Sequence, residues 1–245
     1  AAANNAQARQ LAEFGPEKVN AYELGSKWTF AEGTAELNAA LFRTDSKDLQ
    51  VTALIPGGVL TAFAVENAAS ARNQGAEVEL NWRPIQSLVL GARTAYLDAK
   101  YSNFSDSQCF GGETATQGCV NGVQSLSGQQ LPFSPKFAAT LDAEYTWHLV
   151  GQWSIAAFVQ ASYSQSYWTE FVDDPASRQG SYTKYNARLA LRSNHLDLAL
   201  IGRNLSNVYT FAGASQINPA AAGGTADAAT IDPPRELILQ LRYHF

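Results

Sequence analysis

Apolar and polar residues alternate with period two along most of this chain. "AEVELNW" puts Ala76, Val78, Leu80 and Trp82 on one face and Glu77, Glu79 and Asn81 on the other. "FAATLDAEYTW" opposes Phe137, Ala139, Leu141, Ala143, Tyr145 and Trp147 to Thr140, Asp142, Glu144 and Thr146. "WSIAAFVQASY" and "YNARLALRS" repeat the pattern, and "RELILQLRYHF" carries it to the last residue, with Leu237, Leu239, Leu241, Tyr243 and Phe245 in one parity. Such alternation is the signature of a strand with two unlike faces, and runs of about nine to eleven residues match a tilted membrane-spanning strand. Strands of soluble proteins are shorter, about five or six residues.

The pattern predicts nine strands, at about 18–30, 35–51, 60–83, 87–103, 133–147, 152–168, 182–193, 195–211 and 234–245. "AEGT", "RPIQ", "HLVGQ" and "SNH" read as tight turns. Between them lie long loops at about 104–132, 169–181 and 212–233, and a connection of intermediate length near 52–59. One end of the sheet thus has short turns and the other long loops, the asymmetry of an antiparallel transmembrane β-barrel.

Aromatic placement agrees. Trp28, Trp82, Trp147 and Trp153 all border short turns, and Tyr243 and Phe245 end at the same level. A bilayer interface explains such a girdle, because an indole keeps its ring in the acyl boundary and its N–H in water. Tyr96, Tyr101, Tyr163, Tyr167, Tyr182, Tyr185 and Tyr209 cluster at the opposite strand ends and predict the second girdle. Within the spans, Glu77, Glu79, Arg93, Glu144, Arg188, Arg192 and Arg203 keep to the polar parity. Arg43 and Asp98 break it, late on strands that are leaving the bilayer. The many small residues suit a wide barrel facing water or a plug.

Composition narrows the function. The 245 residues carry a net charge of −5 without a Lys/Arg run, which argues against a nucleic-acid partner. No apolar run is long enough for a membrane-crossing helix, which leaves barrels untouched. The sequence lacks Met, and "AAANNAQARQ" reads as the middle of something longer or as a processed end. Cys109 and Cys119, ten apart in a polar loop, suggest a disulfide in an oxidising compartment; two free thiols are the alternative, and metal binding is weaker for want of a nearby His. No GxSxG, HExxH or phosphate loop occurs, and His148, His195 and His244 neighbour no nucleophile on the same side, so neither an enzyme nor a cofactor is expected. Glu77 and Glu79 read as a wet wall paired with arginines.

Bacterial single-chain barrels have even strand numbers, so an odd count ending on the short-turn side implies that at least one strand is missing. "VNAYELGSKWTF", "LNAALFRTDSKDLQV", "NAASARNQGAEVELNWRP", "LPFSPKFAATLDAEY", "GRNLSNVYT" and "PRELILQLRYHF" occur in this order. Together they resemble the C-terminal half of a TonB-dependent outer-membrane receptor, from about residue 16 onward. The resemblance implies residues 1–17 as a loop or fragment start, and 18–245 as the C-terminal part of a 22-stranded barrel. On this reading the family's plug domain is expected to lie outside the given sequence. The resemblance also implies import of a scarce nutrient (ferric siderophore, haem, cobalamin or oligosaccharide) in the outer membrane of a Gram-negative bacterium. The implied partners are outer-membrane lipid and lipopolysaccharide, the TonB complex acting through the N-terminal part, and the barrel-assembly machinery, which would read Tyr243 and Phe245.

Ligand contact is expected at the long-loop end, from Phe104, Phe110, Trp168, Phe171, Tyr182 and Phe211, with Trp168 foremost. Around them lie Asp106, Glu113, Glu170, Asp173, Asp174, Asp227 and Asp232, but little positive charge beyond Arg178. This leans toward a neutral or cationic ligand such as an oligosaccharide, since an anionic chelate is better served by Arg and Lys. A passive porin or specific channel is the alternative function, and an autotransporter translocator or outer-membrane enzyme a lesser one. Deleting Phe245, or replacing it with a charged residue, is expected to lower surface levels of the protein more than ligand binding per assembled receptor. Normal surface levels would remove the assembly role.

Overall fold

The computed structural model describes residues 14–55, 62–216 and 227–245. The stretch "AAANNAQARQ", residues 56–61 with the second half of the connection expected near 52–59, and the tip of the third long loop (217–226) lie outside the described residues, as does the Asp227 side chain. The strands are β1 (Lys18–Phe30), β2 (Ala35–Ile55), β3 (Ala62–Ile85), β4 (Leu88–Asn103), β5 (Ser107–Gln108), β6 (Val123–Gln124), β7 (Phe137–His148), β8 (Ser154–Ser164), β9 (Tyr167–Trp168), β10 (Arg178–Gln179), β11 (Tyr182–Arg192), β12 (Leu196–Arg203), β13 (Phe211–Gln216), β14 (Asp227–Ile231) and β15 (Glu236–Tyr243).

Nine of them form one antiparallel sheet in the order β1-β2-β3-β4-β7-β8-β11-β12-β15. The other six make three two-stranded ribbons, β5/β6, β9/β10 and β13/β14, one in each long loop. Sequence neighbours are therefore space neighbours, because the tight turns leave each strand nowhere else to pair. The nine predicted wall strands are present. Among the described residues β1 and β15 are unpaired on one side, so the sheet is part of a barrel rather than a closed one.

The register keeps the two faces apart. Leu24, Leu41, Ala76, Tyr96 and Phe137 lie side by side across five strands on the apolar face. Leu189, Leu200 and Leu239 do the same at the other edge. Trp28, Trp82 and Trp147 stand exposed on this face at the short-turn end. Tyr243 and Phe245 meet edge-on there, at 5.2 Å between centroids, and the His195 ring lies against Tyr243. The polar face carries a belt of ion pairs: Arg93 to Glu79 (3.2 Å) and Asp142 (2.7 Å), Arg188 to Asp197 (2.8 Å), and Arg192 to Asp197 (3.4 Å) and Glu144 (3.9 Å). These charges need the aqueous side, and their pairing across strands agrees with the register that the leucines set. A trough of about 600 Å³ on this face is lined by Glu77, Glu79 and Arg93 together with Ala40, Ala95 and Ala138.

Three strands are shorter than the alternation suggested. The strand predicted at 195–211 stops at Arg203 because Asn204 and Asn207 adopt left-handed backbone, φ 46° and 52°. The Asn204 amide then ties the reversal, donating to the carbonyls of Val208 (2.9 Å) and Pro233 (3.2 Å). The strand predicted from 133 begins at Phe137, after two prolines and a left-handed Phe133 (φ 53°). The strand predicted to reach 168 breaks after Ser164, and Tyr167–Trp168 turn away to pair with Arg178–Gln179. Two members of the predicted upper girdle also move: Tyr101 is buried against Phe104, and Tyr167 belongs to the β9/β10 ribbon. Tyr96, Tyr163, Tyr185 and Tyr209 remain exposed.

A Cβ at Gly75 would collide with the Tyr96 carbonyl oxygen of the neighbouring strand and sit 2.9 Å from the Phe42 ring. Gly75→Val is expected to lower the folded fraction, read as heat-modifiable gel migration, by an overpacking cost of about 1–3 kcal/mol. A wild-type folded fraction would show that the sheet tolerates the side chain.

Candidate ligand-binding face at the long-loop end

The three long loops are knitted to one another. The first is closed by the Cys109–Cys119 disulfide (Cα–Cα 5.7 Å) and the β5/β6 ribbon. Its Gln124 side chain is buried and donates both to Gln108 within the loop (3.0 Å) and to the Val172 carbonyl of the second loop (3.1 Å). The Phe133 N–H reaches the Trp168 carbonyl (2.7 Å), a second tie between the same loops. The second loop holds the third through the Gln179 side-chain oxygen, which accepts from Phe211 N–H (2.8 Å). Buried glutamines suit this work because each can give and accept at once.

A charged clasp anchors the third loop to the wall. The Lys184 ammonium donates to Thr210 Oγ1 (2.6 Å) and Asp232 Oδ2 (2.8 Å), and the Thr210 hydroxyl donates to the same carboxylate oxygen (2.5 Å). Lys184 and Thr210 hold the Asp232 carboxyl below the usual carboxylate range. The sequence reading missed this clasp. Its one available signal was a lysine on the polar parity at the start of a wall strand.

The aromatic residues expected to meet a ligand separate into four groups. Trp168 and Arg178 come together: they are register partners in the β9/β10 ribbon, and the guanidinium carbon lies 5.6 Å from the indole centroid. Tyr182 stands next to the clasp, with the Lys184 nitrogen 5.4 Å from its ring. Phe110, Phe171 and Phe211 are half-buried, on the first, second and third loops. Phe104 offers no free ring face. It is 2% exposed and packs with Tyr101, Ala69 and Leu126 in the small apolar core beneath the first loop. Glu113 lies beside the bridged cysteines, but bridged sulfurs offer no thiolate for a metal.

Asp173 occupies an unusual position in the second loop. Its backbone is left-handed (φ 53°), one carboxyl oxygen is buried without a hydrogen-bond partner, and burial pushes its pKa up to about 6. The folded state therefore holds the proton more tightly than the unfolded chain. The group is free of penalty below about pH 4, and the loop loses stability as pH rises through about 6. Amide protection factors in residues 165–181, corrected for the intrinsic pH dependence of exchange, are expected to be lower at pH 7.5 than at pH 5. Asp173→Asn, which removes the charge and tolerates the backbone, should abolish the difference. A pH-independent protection factor in the wild type would remove the effect.

Residues 2–205 match the family described as "TonB dependent receptor-like, beta-barrel". The probable TonB-dependent siderophore receptor PiuA of Acinetobacter baumannii is 30% identical over 214 residues, which is 86% of this chain and 26% of that protein. The crystal structure of the A. baumannii siderophore receptor PiuA superposes with a TM-score of 0.65 at 25% identity, over 93% of this chain and 28% of that one. The ferric yersiniabactin receptor FyuA of Yersinia pestis gives 0.69 at 18% identity, over 94% of this chain and 30% of that one, a likeness of fold. The chain thus spans between a quarter and a third of the length of these relatives, all of them described as receptors. With the strand alternation and the loop asymmetry, these matches place the chain in the TonB-dependent receptor β-barrel family of the Gram-negative outer membrane.

Proposed function

We propose that this chain supplies wall and ligand-side loops to a receptor that imports a ferric siderophore across the outer membrane, driven by the TonB complex. The relation to PiuA, 30% identical over 86% of the chain, carries this reading. The scarcity of cations at the loop end leaned toward a sugar, but that lean rests on one part of a mouth shared with other segments. The ring faces remain useful to an aromatic or chelate ligand. Trp168 is the leading contact, already backed by Arg178, with Tyr182, Phe110, Phe171 and Phe211 around it. Phe104 is left out because Tyr101 and Leu126 cover it. In this reading the small-residue trough lined by Ala40, Ala95 and Ala138 faces the plug.

Uptake by iron-starved cells carrying the intact receptor tests the proposal. Radio-iron presented as ferric chelates is expected to accumulate, and a protonophore should stop it. Uptake that survives the protonophore would favour a passive channel, and uptake of oligosaccharide but not iron would overturn the siderophore assignment. Trp168→Ala is expected to weaken ligand binding about tenfold, the scale of losing one buried aromatic contact. An unchanged affinity would exclude Trp168 from the contact surface.

A further inference from the structure

The first long loop brings three metal-ligating side chains to one spot. The sulfurs of Cys109 and Cys119 and a carboxylate oxygen of Glu113 all lie within 4.8 Å of one another, and all three residues are half-buried. Glu113 is held there by its own turn. The Phe110 N–H donates to Oε2 at 3.0 Å. Oε1 faces Gly118, the residue before Cys119, and lies 3.8 Å from where a Cβ on that glycine would sit.

In the oxidised chain the two sulfurs are bonded to each other, but the loop does not take its shape from that bridge alone. The Cys109 N–H donates to the Gly122 carbonyl (3.4 Å) and the Cys119 N–H to the Thr114 carbonyl (3.2 Å). Ser107 and Gln108 pair with Gln124 and Val123, and the buried Gln124 ties the loop to Val172. These bonds keep the two cysteine Cα atoms near their present 5.7 Å separation when the bridge opens. A tetrahedral zinc ion with Zn–S near 2.3 Å and Zn–O near 2.1 Å needs ligand-to-ligand edges of about 3.6–3.8 Å. Rotation about the Cα–Cβ bonds moves the sulfurs to that spacing without moving the backbone. The local field also favours a cation. Between Phe104 and Leu131 the loop carries Asp106 and Glu113 and no Lys, Arg or His. Asp174 of the second loop adds its negative charge beside Glu113.

The geometry points to a redox-gated zinc site in this loop: once the bridge is reduced, the Cys109 and Cys119 thiolates and the Glu113 carboxylate bind one Zn²⁺, with water in the fourth position. A dithiol supplies the reduction. It gives two electrons and two protons to the bridge, the S–S bond breaks, two thiols form, and the dithiol closes into its own disulfide. Zn²⁺ then displaces the two thiol protons to solvent. Two thiolates and one carboxylate suit a tetrahedral zinc ion, whereas Ca²⁺ and Mg²⁺ take oxygen ligands. The same loop is thus closed by a covalent bridge under oxidising conditions and by a metal under reducing ones, and Gln124 keeps its hold on the second loop in both states.

The test uses the intact receptor in detergent micelles, either oxidised or reduced with a dithiol and desalted without air, then equilibrated with Zn²⁺. Bound zinc is counted by elemental mass spectrometry. The reduced wild type should hold about one zinc more per receptor than the oxidised form. Co²⁺ in its place should give a thiolate-to-cobalt charge-transfer band. Cys109→Ser/Cys119→Ser should take up no extra zinc on reduction, which also separates this site from any cysteine elsewhere in the receptor. Glu113→Gln, which keeps the bridge, should bind zinc at least about tenfold more weakly after reduction. Folding of each variant is checked by heat-modifiable migration. If the double serine variant does not fold, the oxidised wild type and Glu113→Gln serve as the comparisons. Equal zinc in the oxidised and reduced receptor, no cobalt band, or wild-type affinity in Glu113→Gln would overturn the proposal.

Discussion

Every N–H and C=O of a chain in lipid must find its partner within the protein. The unbroken antiparallel ladder through β1-β2-β3-β4-β7-β8-β11-β12-β15 meets that constraint, and the rest of the structure follows from it. A ladder fixes the direction of each side chain, so one parity must suit lipid and the other water. It also forces connections to the two ends of the sheet, where turn chemistry decides what each end can do. At one end the connections close within a few residues, and Gly151 (φ 71°) and Gly33 (φ 84°) supply left-handed turns. At the other end the chain leaves the membrane and is free to build loops.

Those loops are organised by a second kind of bond. Little apolar material is buried there: one small cluster of Ala69, Tyr101, Phe104 and Leu126 sits beneath the first loop. Cohesion comes instead from Gln124, Gln179, Asn204 and the Lys184–Thr210–Asp232 clasp, each of which satisfies groups on two segments. Such a network fixes a shape while leaving ring faces uncovered, which is what a receptor mouth requires.

Much of the fold was legible because period-two alternation, turn residues and girdle aromatics are local signals. Nine wall strands, their direction and the side of Trp28, Trp82, Trp147, Tyr243 and Phe245 follow from them. Strand ends were less legible. Val208, Tyr209 and Phe211 look like strand residues, and only the left-handed Asn204 and Asn207 show that the strand has already stopped. Phe104 and Tyr101 read as exposed aromatics because nothing in their own neighbourhood shows that Leu126, more than twenty residues on, will cover them.

The sequence by itself determined which parity of each strand is apolar and which end of the sheet carries the loops, and it suggested the bridge between Cys109 and Cys119, since each depends on spacing along one strand or one loop. Tertiary structure alone decided that Arg178 lies over Trp168, that Lys184 meets Asp232, and that Asp45 braces Arg43 and Arg72. Two of these contacts join residues on different strands or loops, and Asp45 links its own strand neighbour to an arginine on the next strand. Their partners are set by register and loop path, which are properties of the assembled sheet and not of any single stretch of chain.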